Sequence, residues 1–251
     1  MSRAILWFRR DLRLTDLPAL AAADTAGEVV PLFVVDPLFT ARAGAPRLAY
    51  LARALRALDE QIGGALVYRH GDPVAEVCRL TAEVGAGDVF VSRDFGPYGR
   101  RRDAAVAEEL RRVGGRLHGI GSPYAVEPGT VAKADGTPYA VFTPFSRTWL
   151  NEGRPRWALR ETTDTAQVTW MGAPDIECDG PPIEPQVSCE LPAASAGAVR
   201  ECWDRFVAGG LDEYDSGRNF PANEGTSRLS TALRWGLVHP CELIDDLASS
   251  P

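Results

Sequence analysis

The sequence has no paired-cysteine motif, no long apolar run and no excess of positive charge. Its five cysteines are widely scattered, odd in number and never spaced as C-x-x-C: Cys78, Cys178, Cys189, Cys202 and Cys241. This pattern argues against a disulfide framework and against a structural zinc site. The longest apolar runs are far too short to span a membrane, and no basic-plus-apolar leader is visible. We therefore expect a cytoplasmic protein with free thiols and no membrane partner.

The charge balance gives no general sign of nucleic-acid binding. The formal net charge of the 251 residues is −7, with 45% hydrophobic and 24% charged residues, as in an ordinary globular protein. Arginines cluster after residue 8 and again over residues 100–102. A basic groove can be local on an acidic protein, but each cluster is more simply a solvated face. The bulk numbers thus leave a DNA partner open.

Strand-like and helix-like segments alternate over residues 1–126. Apolar runs predict five strands: Ala4–Phe8, Val29–Val35, Leu66–His70, Asp88–Ser92 and Arg116–Ile120. Four helical patterns lie between them: Pro18–Ala26, Ala45–Ile62, Pro73–Val84 (capped by Asp72 and ended by Gly85) and Tyr98–Val113. Such alternation predicts right-handed βαβ units, and hence an α/β fold with an open parallel, Rossmann-like sheet.

The first strand and its charged tail organise the chain. Five consecutive apolar residues, Ala4 to Phe8, suit a strand that is buried on both faces. Four charges follow within five residues, at the end of a strand where open parallel sheets collect ligands. No G-x-G-x-x-G follows this strand, so we do not predict a standard dinucleotide site. An anionic ligand or an interdomain contact is the functional alternative to a solvated loop.

The regular alternation stops over residues 127–195. Prolines are dense there (Pro174, Pro181, Pro182, Pro185 and Pro192), and the only compact segment is the aromatic stretch Tyr139 to Trp149. We predict a surface connector between two domains. Helical patterns return over residues 196–251, at 198–208, 233–235 and 241–247. These helices are too few and too short to enclose a core of their own.

The strongest local motif lies at residues 214–230. Gly225, Thr226 and Ser227 are expected to lead into a helix whose first turn offers free N–H groups, hydroxyls and the Arg228 guanidinium. Such a helix start can hold a phosphate, although ordinary capping by Thr226 or Ser227 is the plainer alternative.

Three segments together resemble the DNA photolyase/cryptochrome family. They are WFRRDLRLTD from Trp7, the connector segment PYAVFTPFSRTW, and YDSGRNFPANEGTSRLS from Tyr214. The resemblance covers essentially the whole chain and implies the N-terminal part of a light-driven repair enzyme of the class I, cyclobutane-dimer type. In that family, reduced FAD donates an electron to a pyrimidine dimer that is flipped out of UV-damaged DNA.

The resemblance assigns roles to individual residues. The residues matched to FAD contacts are Tyr214, Thr226, Ser227, Arg228, Leu229 and Ser230. Arg218 matches a DNA-facing arginine. The resemblance implies that residues 196–251 begin an all-α FAD-binding domain and that the protein is a monomer.

The resemblance also implies an antenna chromophore beside the sheet. The string RDFGPYGRRRD from Arg93 is similar to the form of the family that binds a deazaflavin (8-HDF), and the Asn-Glu pair of folate (MTHF) binders is absent. The matched pocket residues are Arg10, Phe33, Asp36, Arg47, Asp94 and Arg234, with Leu38 as a further apolar wall. Gly96 replaces a typical acidic residue and Arg234 a typical lysine; Asp36 could equally cap the turn at Asp36-Pro37.

The chain is shorter than family members, and the missing part would hold the catalytic residues. We therefore expect this chain alone to hold FAD weakly and to split no dimers. Two other interpretations stay open: a cryptochrome-type photoreceptor, and a cofactor-free α/β module. No histidine cluster suggests a metal site.

Overall fold

The computed structural model describes residues 2–157, 167–172, 176–220 and 222–249. Within them lie six strands: β1 (Ser2–Phe8), β2 (Gly27–Val35), β3 (Val67–His70), β4 (Asp88–Val91), β5 (Arg116–Gly119) and β6 (Thr169–Trp170). The helices are α1 (Pro18–Asp24), α2 (Pro37–Thr40), α3 (Ala45–Gln61), α4 (Pro73–Val84), α5 (Pro97–Arg112), α6 (Phe142–Trp157), α7 (Ala196–Gly209), α8 (Tyr214–Gly217), α9 (Ser230–Trp235) and α10 (Pro240–Ser249).

The parallel sheet has the order β3-β2-β1-β4-β5, which confirms the α/β class and the five predicted strands. The chain winds outward from β1 in both directions, so the connections diverge between β1 and β4. Ligands of open α/β sheets bind at such a point, beyond the carboxyl ends of the strands. The short strand β6 was not predicted; it pairs with the beginning of β2, where Trp170 lies opposite Val29.

The core lies on both faces of the sheet. Strand β1 is buried on both sides, as its uninterrupted apolar run predicts. Leu6 and Phe8 face one cluster, which includes α1 and α3, while Ile5 and Trp7 face the other, with α4 and α5. Each fully buried side chain of this size contributes about 1.5–3 kcal/mol. The strand therefore fixes the position of the charged residues that follow it.

The C-terminal helices join the first of these clusters, and α10 also contributes Cys241 to a small third cluster with Val126. Val199 and Trp203 of α7, Trp235 of α9 and Leu243 of α10 pack with the residues of β1 and α3. This agrees with the expectation that these helices cannot enclose a core alone. The consequence for the site is that α9 lies directly beside the strand ends.

Two local expectations were wrong. The connector contains a helix, α6, whose period is hidden because Pro144 and several aromatic residues stand in it; proline is tolerated there, in the first turn, where the N–H groups have no helical partner. The helix expected to open at Thr226 and Ser227 begins instead at Ser230. Arg228 has a φ of 53°, which a right-handed helix does not accommodate. Residues 158–166 and 173–175 of the predicted connector, with Pro174 and with Pro221 of the motif, lie outside the described residues.

Candidate functional site

A cleft of about 250 Å³ opens at the carboxyl ends of β1, β2 and β4. We call it the strand-end cleft. Five of the six residues matched to the antenna pocket line it: Arg10, Phe33, Asp36, Asp94 and Arg234. They come from four separate parts of the sequence, which the sheet topology and α9 bring together.

The tail of β1 is held by buried charge pairs. The backbone N–H of Arg9 donates to Asp11 at 2.7 Å, and the Arg9 guanidinium bonds to Asp103 and to the carbonyl of Ser92. Burial, followed by the charge of Arg102, lowers the pKa of Arg9. Arg9 and Arg102 both lie over Trp7, at 4.9 and 5.1 Å from its ring centroid. The floor of the cleft is therefore an aromatic ring flanked by two arginines that share the carboxylate of Asp103.

The Asp36 carboxylate caps a helix and also lies at the strand-end cleft. Its carboxylate caps α2 by accepting the N–H of Leu38 at 2.9 Å, and it also accepts the hydroxyl of Tyr98 at the mouth of the cleft. Burial, with the hydrogen bond to Asp36 as the next cause, raises the pKa of Tyr98 to about 12. Leu38, expected to be a wall, is 64% exposed and lies outside the lining. Phe39 takes that place because the α2 turn directs the next residue inward.

Asp94 is positioned by a close glycine contact. Its carboxylate accepts the N–H of Gly96 at 3.0 Å and lies 3.5 Å from the guanidinium of Arg102. A Cβ on Gly99 would lie only 2.1 Å from the carboxyl carbon of Asp94, so only glycine leaves room for it. Gly99 of the RDFGPYGRRRD string therefore determines where the Asp94 carboxylate can lie.

The opposite wall comes from α9. The Phe39 and Trp235 rings meet edge to face with centroids 5.6 Å apart. The turn after α9 is anchored to the tail of β1, since Leu12 N–H donates to the Trp235 carbonyl at 3.0 Å. A Cβ on Gly236 would lie 2.2 Å from the Arg10 carbonyl. These contacts fix Arg234 at the cleft.

Arg47 lies in an adjoining cleft of about 420 Å³ between α3 and α9, which we call the α3–α9 cleft. Arg234, Phe39 and Trp235 line both clefts. Burial, then the charge of Arg10, lowers the pKa of Arg234, and Arg47 acts in the same direction. Arg234 therefore lies between a cleft lined by Arg10 and a cleft lined by Arg47.

The residues matched to FAD do not share one cavity. Arg228 and Leu229 line a groove of about 430 Å³ beside α7, whereas Ser230 lines the α3–α9 cleft. Thr226 is exposed and lines neither the groove nor the α3–α9 cleft. Leu229 is also a core residue. Arg228 is 3.4 Å from Glu224. The described residues thus place the motif on the surface without a closed pyrophosphate pocket.

Tyr214 and Arg218 form one small surface cluster. Tyr214 is 40% exposed and meets Phe206 edge to face at 5.9 Å. The Arg218 guanidinium lies 5.6 Å from the Tyr214 ring centroid and 3.1 Å from Asp215. The segment that carries Tyr214 and Arg218 packs closely against Gly225, because a Cβ added to Gly225 would lie 2.6 Å from the Gly217 backbone. Tyr214 is therefore neither a core residue nor part of the clefts described above.

Several cleft residues were not singled out from the sequence: Trp7, Phe39, Tyr98, Gly99, Arg102 and Trp235. Three of them belong to the RDFGPYGRRRD string, so the motif itself contained the signal. Phe39 and Trp235 became recognisable only when the fold brought α2 and α9 together.

The family comparison fits this geometry. The DNA photolyase family pattern matches residues 4–165, which include strands β1 to β5 and most of the residues that line the strand-end cleft. The chain belongs to the DNA photolyase family. A deoxyribodipyrimidine photo-lyase from Streptomyces griseus is 37% identical over 97% of this chain and 55% of its own length. The chain spans about half the length of the curated photolyase relatives it matches.

Solved structures show the same fold. A class III photolyase from Agrobacterium tumefaciens superposes with a TM-score of 0.81 at 26% identity, covering 99% of this chain and 53% of that one. A Synechocystis cryptochrome superposes with a TM-score of 0.85 at 19% identity, covering 99% of this chain and 55% of that one, a likeness of fold alone.

Other features of the described residues bear on the expectations above. All five cysteines are free thiols, as expected. Among the described residues, no three His, Cys, Asp or Glu side chains gather as metal ligands. None of the helices built from those residues is long and apolar enough to cross a bilayer.

Proposed function

We propose that this photolyase-family chain is part of a light-dependent enzyme that repairs pyrimidine dimers in DNA, and that its strand-end cleft holds the antenna chromophore. The chromophore, when bound, supplies light absorption. The residues of this chain supply its binding surface and orientation. We further propose that the protein is monomeric and cytoplasmic and that it acts on UV-damaged DNA.

The observation that carries the proposal is the convergence of Arg10, Phe33, Asp36, Asp94 and Arg234 on one cleft. The cleft combines aromatic and aliphatic walls with a few fixed polar groups, which is the usual make-up of a cofactor site. The Nε atom of Arg10 is buried without a hydrogen-bond partner, so a ligand atom would satisfy a group that the described residues leave unsatisfied. The residues present therefore fit a planar, polar-edged ring.

For the chromophore we propose a deazaflavin of the 8-HDF type in preference to a folate. The support is the RDFGPYGRRRD string, whose Asp94, Tyr98 and Gly99 form one side of the cleft. Arg234 keeps the positive charge of the typical lysine but offers a planar set of donors.

For FAD we propose incomplete binding by this chain. The residues matched to FAD contacts are spread over two separate grooves and an exposed loop. In the purified chain we expect substoichiometric flavin after dialysis and no light-dependent loss of thymine dimers from irradiated DNA. Stoichiometric FAD together with dimer splitting would overturn this part of the proposal.

The antenna proposal is tested by titrating the purified chain with 8-HDF and following the fluorescence anisotropy of the ligand. We expect saturable one-to-one binding. Thr40 lines the cleft, so Thr40→Trp should fill it and abolish binding without removing a charge. Thr25 is exposed at the end of α1, so Thr25→Trp is the matched control and should bind normally. Equal binding by both variants, or none by the wild type, would refute the assignment of the cleft.

A further inference from the structure

His239 is a buried histidine at the point where the tail of β1, the segment after β5 and the start of α10 meet. Its Nδ1 atom lies 3.0 Å from the Asp16 carboxylate, and its Nε2 atom lies 3.0 Å from the Ser122 carbonyl. An imidazolium carries a proton on each ring nitrogen and is attracted to both oxygens, whereas a neutral imidazole carries only one N–H. The contacts of the ring therefore depend on its charge.

The neutral ring keeps only part of these contacts. With its proton on Nε2, the ring still donates to Ser122, and the Nδ1 lone pair accepts the Cys241 N–H at 3.4 Å. The same lone pair then faces the Asp16 carboxylate, so the attraction between the ring and that carboxylate is lost. The two states of the ring thus differ by one proton and by the contact that joins the start of α10 to the tail of β1.

The charged groups around His239 come from the tail of β1 and from α10, while the segment after β5 faces the ring with a backbone carbonyl. Glu242 of α10 accepts the backbone N–H of His239 at 3.3 Å. Burial lowers the pKa of Arg13, and the groups that raise it are, in order of effect, Asp11, Asp16, Glu242 and Cys241. This set holds three carboxylates and one guanidinium, so a positive histidine ring adds a second cation where negative charge is in excess.

Asp16 is held in place by its backbone. Its φ is 46°, in the left-handed region that residues other than glycine seldom occupy. The Arg13 guanidinium donates to the Asp16 carbonyl at 2.7 Å and to the Gly236 carbonyl at 3.3 Å. One side chain therefore ties the loop that carries Asp16 to the turn between α9 and α10, and it leaves the carboxylate beside the histidine ring.

We propose that His239 is a proton-dependent latch that holds α10, and with it the turn after α9, against the tail of β1. In the protonated state the ring is attracted to Asp16 and donates to Ser122. Loss of the proton removes the attraction to Asp16 and loosens the junction. Histidine changes its charge between about pH 5 and pH 8, so the latch responds within the physiological range. Its contribution to stability is complete in mild acid and is lost as the ring gives up its proton.

Nuclear magnetic resonance of the chain labelled with ¹⁵N-histidine observes the proton directly. The sequence has three histidines, and the signal that disappears in His239→Gln identifies the ring of interest. We expect both ring nitrogens of His239 to be protonated at about pH 6 and Nδ1 to lose its proton by about pH 8.5. A His239 ring that keeps one protonation state over this whole range would overturn the proposal.

Asp16→Asn tests whether the proton acts through Asp16. Asparagine tolerates the left-handed backbone at this position and keeps the shape of the side chain, but it carries no charge. Between about pH 6 and pH 8 we expect the melting temperature of wild type to fall by about 2–4 °C relative to that of Asp16→Asn. Equal pH dependence of the two proteins would show that the carboxylate does not sense the ring.

His118→Gln is the matched control, because it removes a second histidine–carboxylate pair. The Nε2 atom of His118 lies 2.6 Å from Asp88, and both side chains are partly exposed, so this pair contributes little to stability. His118→Gln should therefore keep the pH dependence of wild type, whereas His239→Gln should lose it. Loss of the pH dependence in His118→Gln, with its retention in His239→Gln, would assign the effect to the surface pair and overturn the latch.

Discussion

Gly236 joins the two parts of the cleft through a contact that no other residue allows. Its φ is 67°, in the left-handed region, and its Cα faces the backbone of Arg10 and Asp11. The N–H of Gly236 also caps α9 by bonding to the carbonyls of Ala232 and Leu233. The residue therefore ends the helix that carries Arg234 and lets it lie against the strand tail that carries Arg10.

We predict that Gly236→Ala lowers the free energy of unfolding by more than about 1 kcal/mol, because alanine is strained at this φ and its Cβ would overlap the Arg10 carbonyl. Urea unfolding followed by circular dichroism measures the change. Gly197 lies in the first turn of α7 with no atom within 4 Å of an added Cβ, so Gly197→Ala is the control and should be neutral or slightly stabilising. Equal stability of the two variants would contradict the argument.

Tyr98 links stability at high pH to the geometry of the cleft mouth. Burial, with the hydrogen bond to Asp36, raises its pKa to about 12. The ordinary tyrosine value is about 10, so the folded state favours the neutral phenol. The stabilisation that Tyr98 provides is complete below its unfolded-state pKa and disappears as the pH rises through its folded-state pKa.

We predict that wild type is more stable than Tyr98→Phe at neutral pH and that this difference shrinks as the pH rises from about 10 to about 12. Urea unfolding of both proteins at a series of pH values measures it. A difference that is absent at neutral pH, or that grows in alkali, would show that the Tyr98–Asp36 bond does not stabilise the neutral phenol.

At the scale of elements, the sequence predicted those parts that local chemistry determines. The start of α4 at Asp72-Pro73 is an example: the Asp72 carboxylate accepts the N–H of Ala75 at 3.2 Å, and Gly85 ends the helix with a φ of 64°. The uninterrupted apolar run of β1 likewise predicted burial on both faces. Such signals are contained within a few neighbouring residues.

Elements that depend on distant contacts were not predictable in this way. Two residues suffice for β6 only because β2 offers a free edge for Thr169 and Trp170. The start of α9 at Ser230 depends on the left-handed backbone of Arg228, which a string of good capping residues does not reveal. The cleft residues Phe39 and Trp235 were missed for the same reason, since they face the site only through tertiary packing.

The segment after β6 packs against the β3 side of the sheet as closely as backbone permits. A Cβ on Gly172 would lie 1.8 Å from the carbonyl of Ala65. Farther along, Asp179 N–H donates to the Tyr68 carbonyl at 3.0 Å, and the Cys178 thiol accepts Tyr68 N–H at 3.2 Å. The connector thus covers an edge of the sheet that would otherwise expose unpaired backbone groups.

We predict that Gly172→Ala destabilises the protein by about 1–3 kcal/mol, because the backbone must shift to relieve the overlap. Among the described residues, Glu184 ties the same connector to α3 through surface pairs with Arg53 and Arg56, so Glu184→Gln should cost clearly less than Gly172→Ala. Thermal unfolding of the two variants measures the contrast. The reverse order of stability would show that surface charge, and not backbone packing, holds the connector.

At the scale of the whole molecule, the cleft is formed between the sheet and helices that are distant in sequence but share one core. The first hydrophobic cluster runs from Ala4 to Leu243. A ligand in the strand-end cleft would contact β1, β2 and α9 together, so its binding energy would stabilise the native assembly of these parts.

We predict that a bound chromophore raises the melting temperature in a concentration-dependent way. At a free ligand concentration one hundred times Kd, the stabilisation should be about 2.7 kcal/mol. Differential scanning calorimetry across a ligand series measures it, and Thr40→Trp should show no shift. A shift of equal size in Thr40→Trp would mean that the ligand binds outside the cleft.

The sharpest test of the cleft assignment is a crystal structure of this chain reconstituted with 8-HDF. We expect electron density for one ring in the strand-end cleft, in contact with Asp94 and with Arg10 or Arg234. Density for the ring at another place, such as the groove beside α7 lined by Arg228, with the strand-end cleft filled only by solvent, would contradict it.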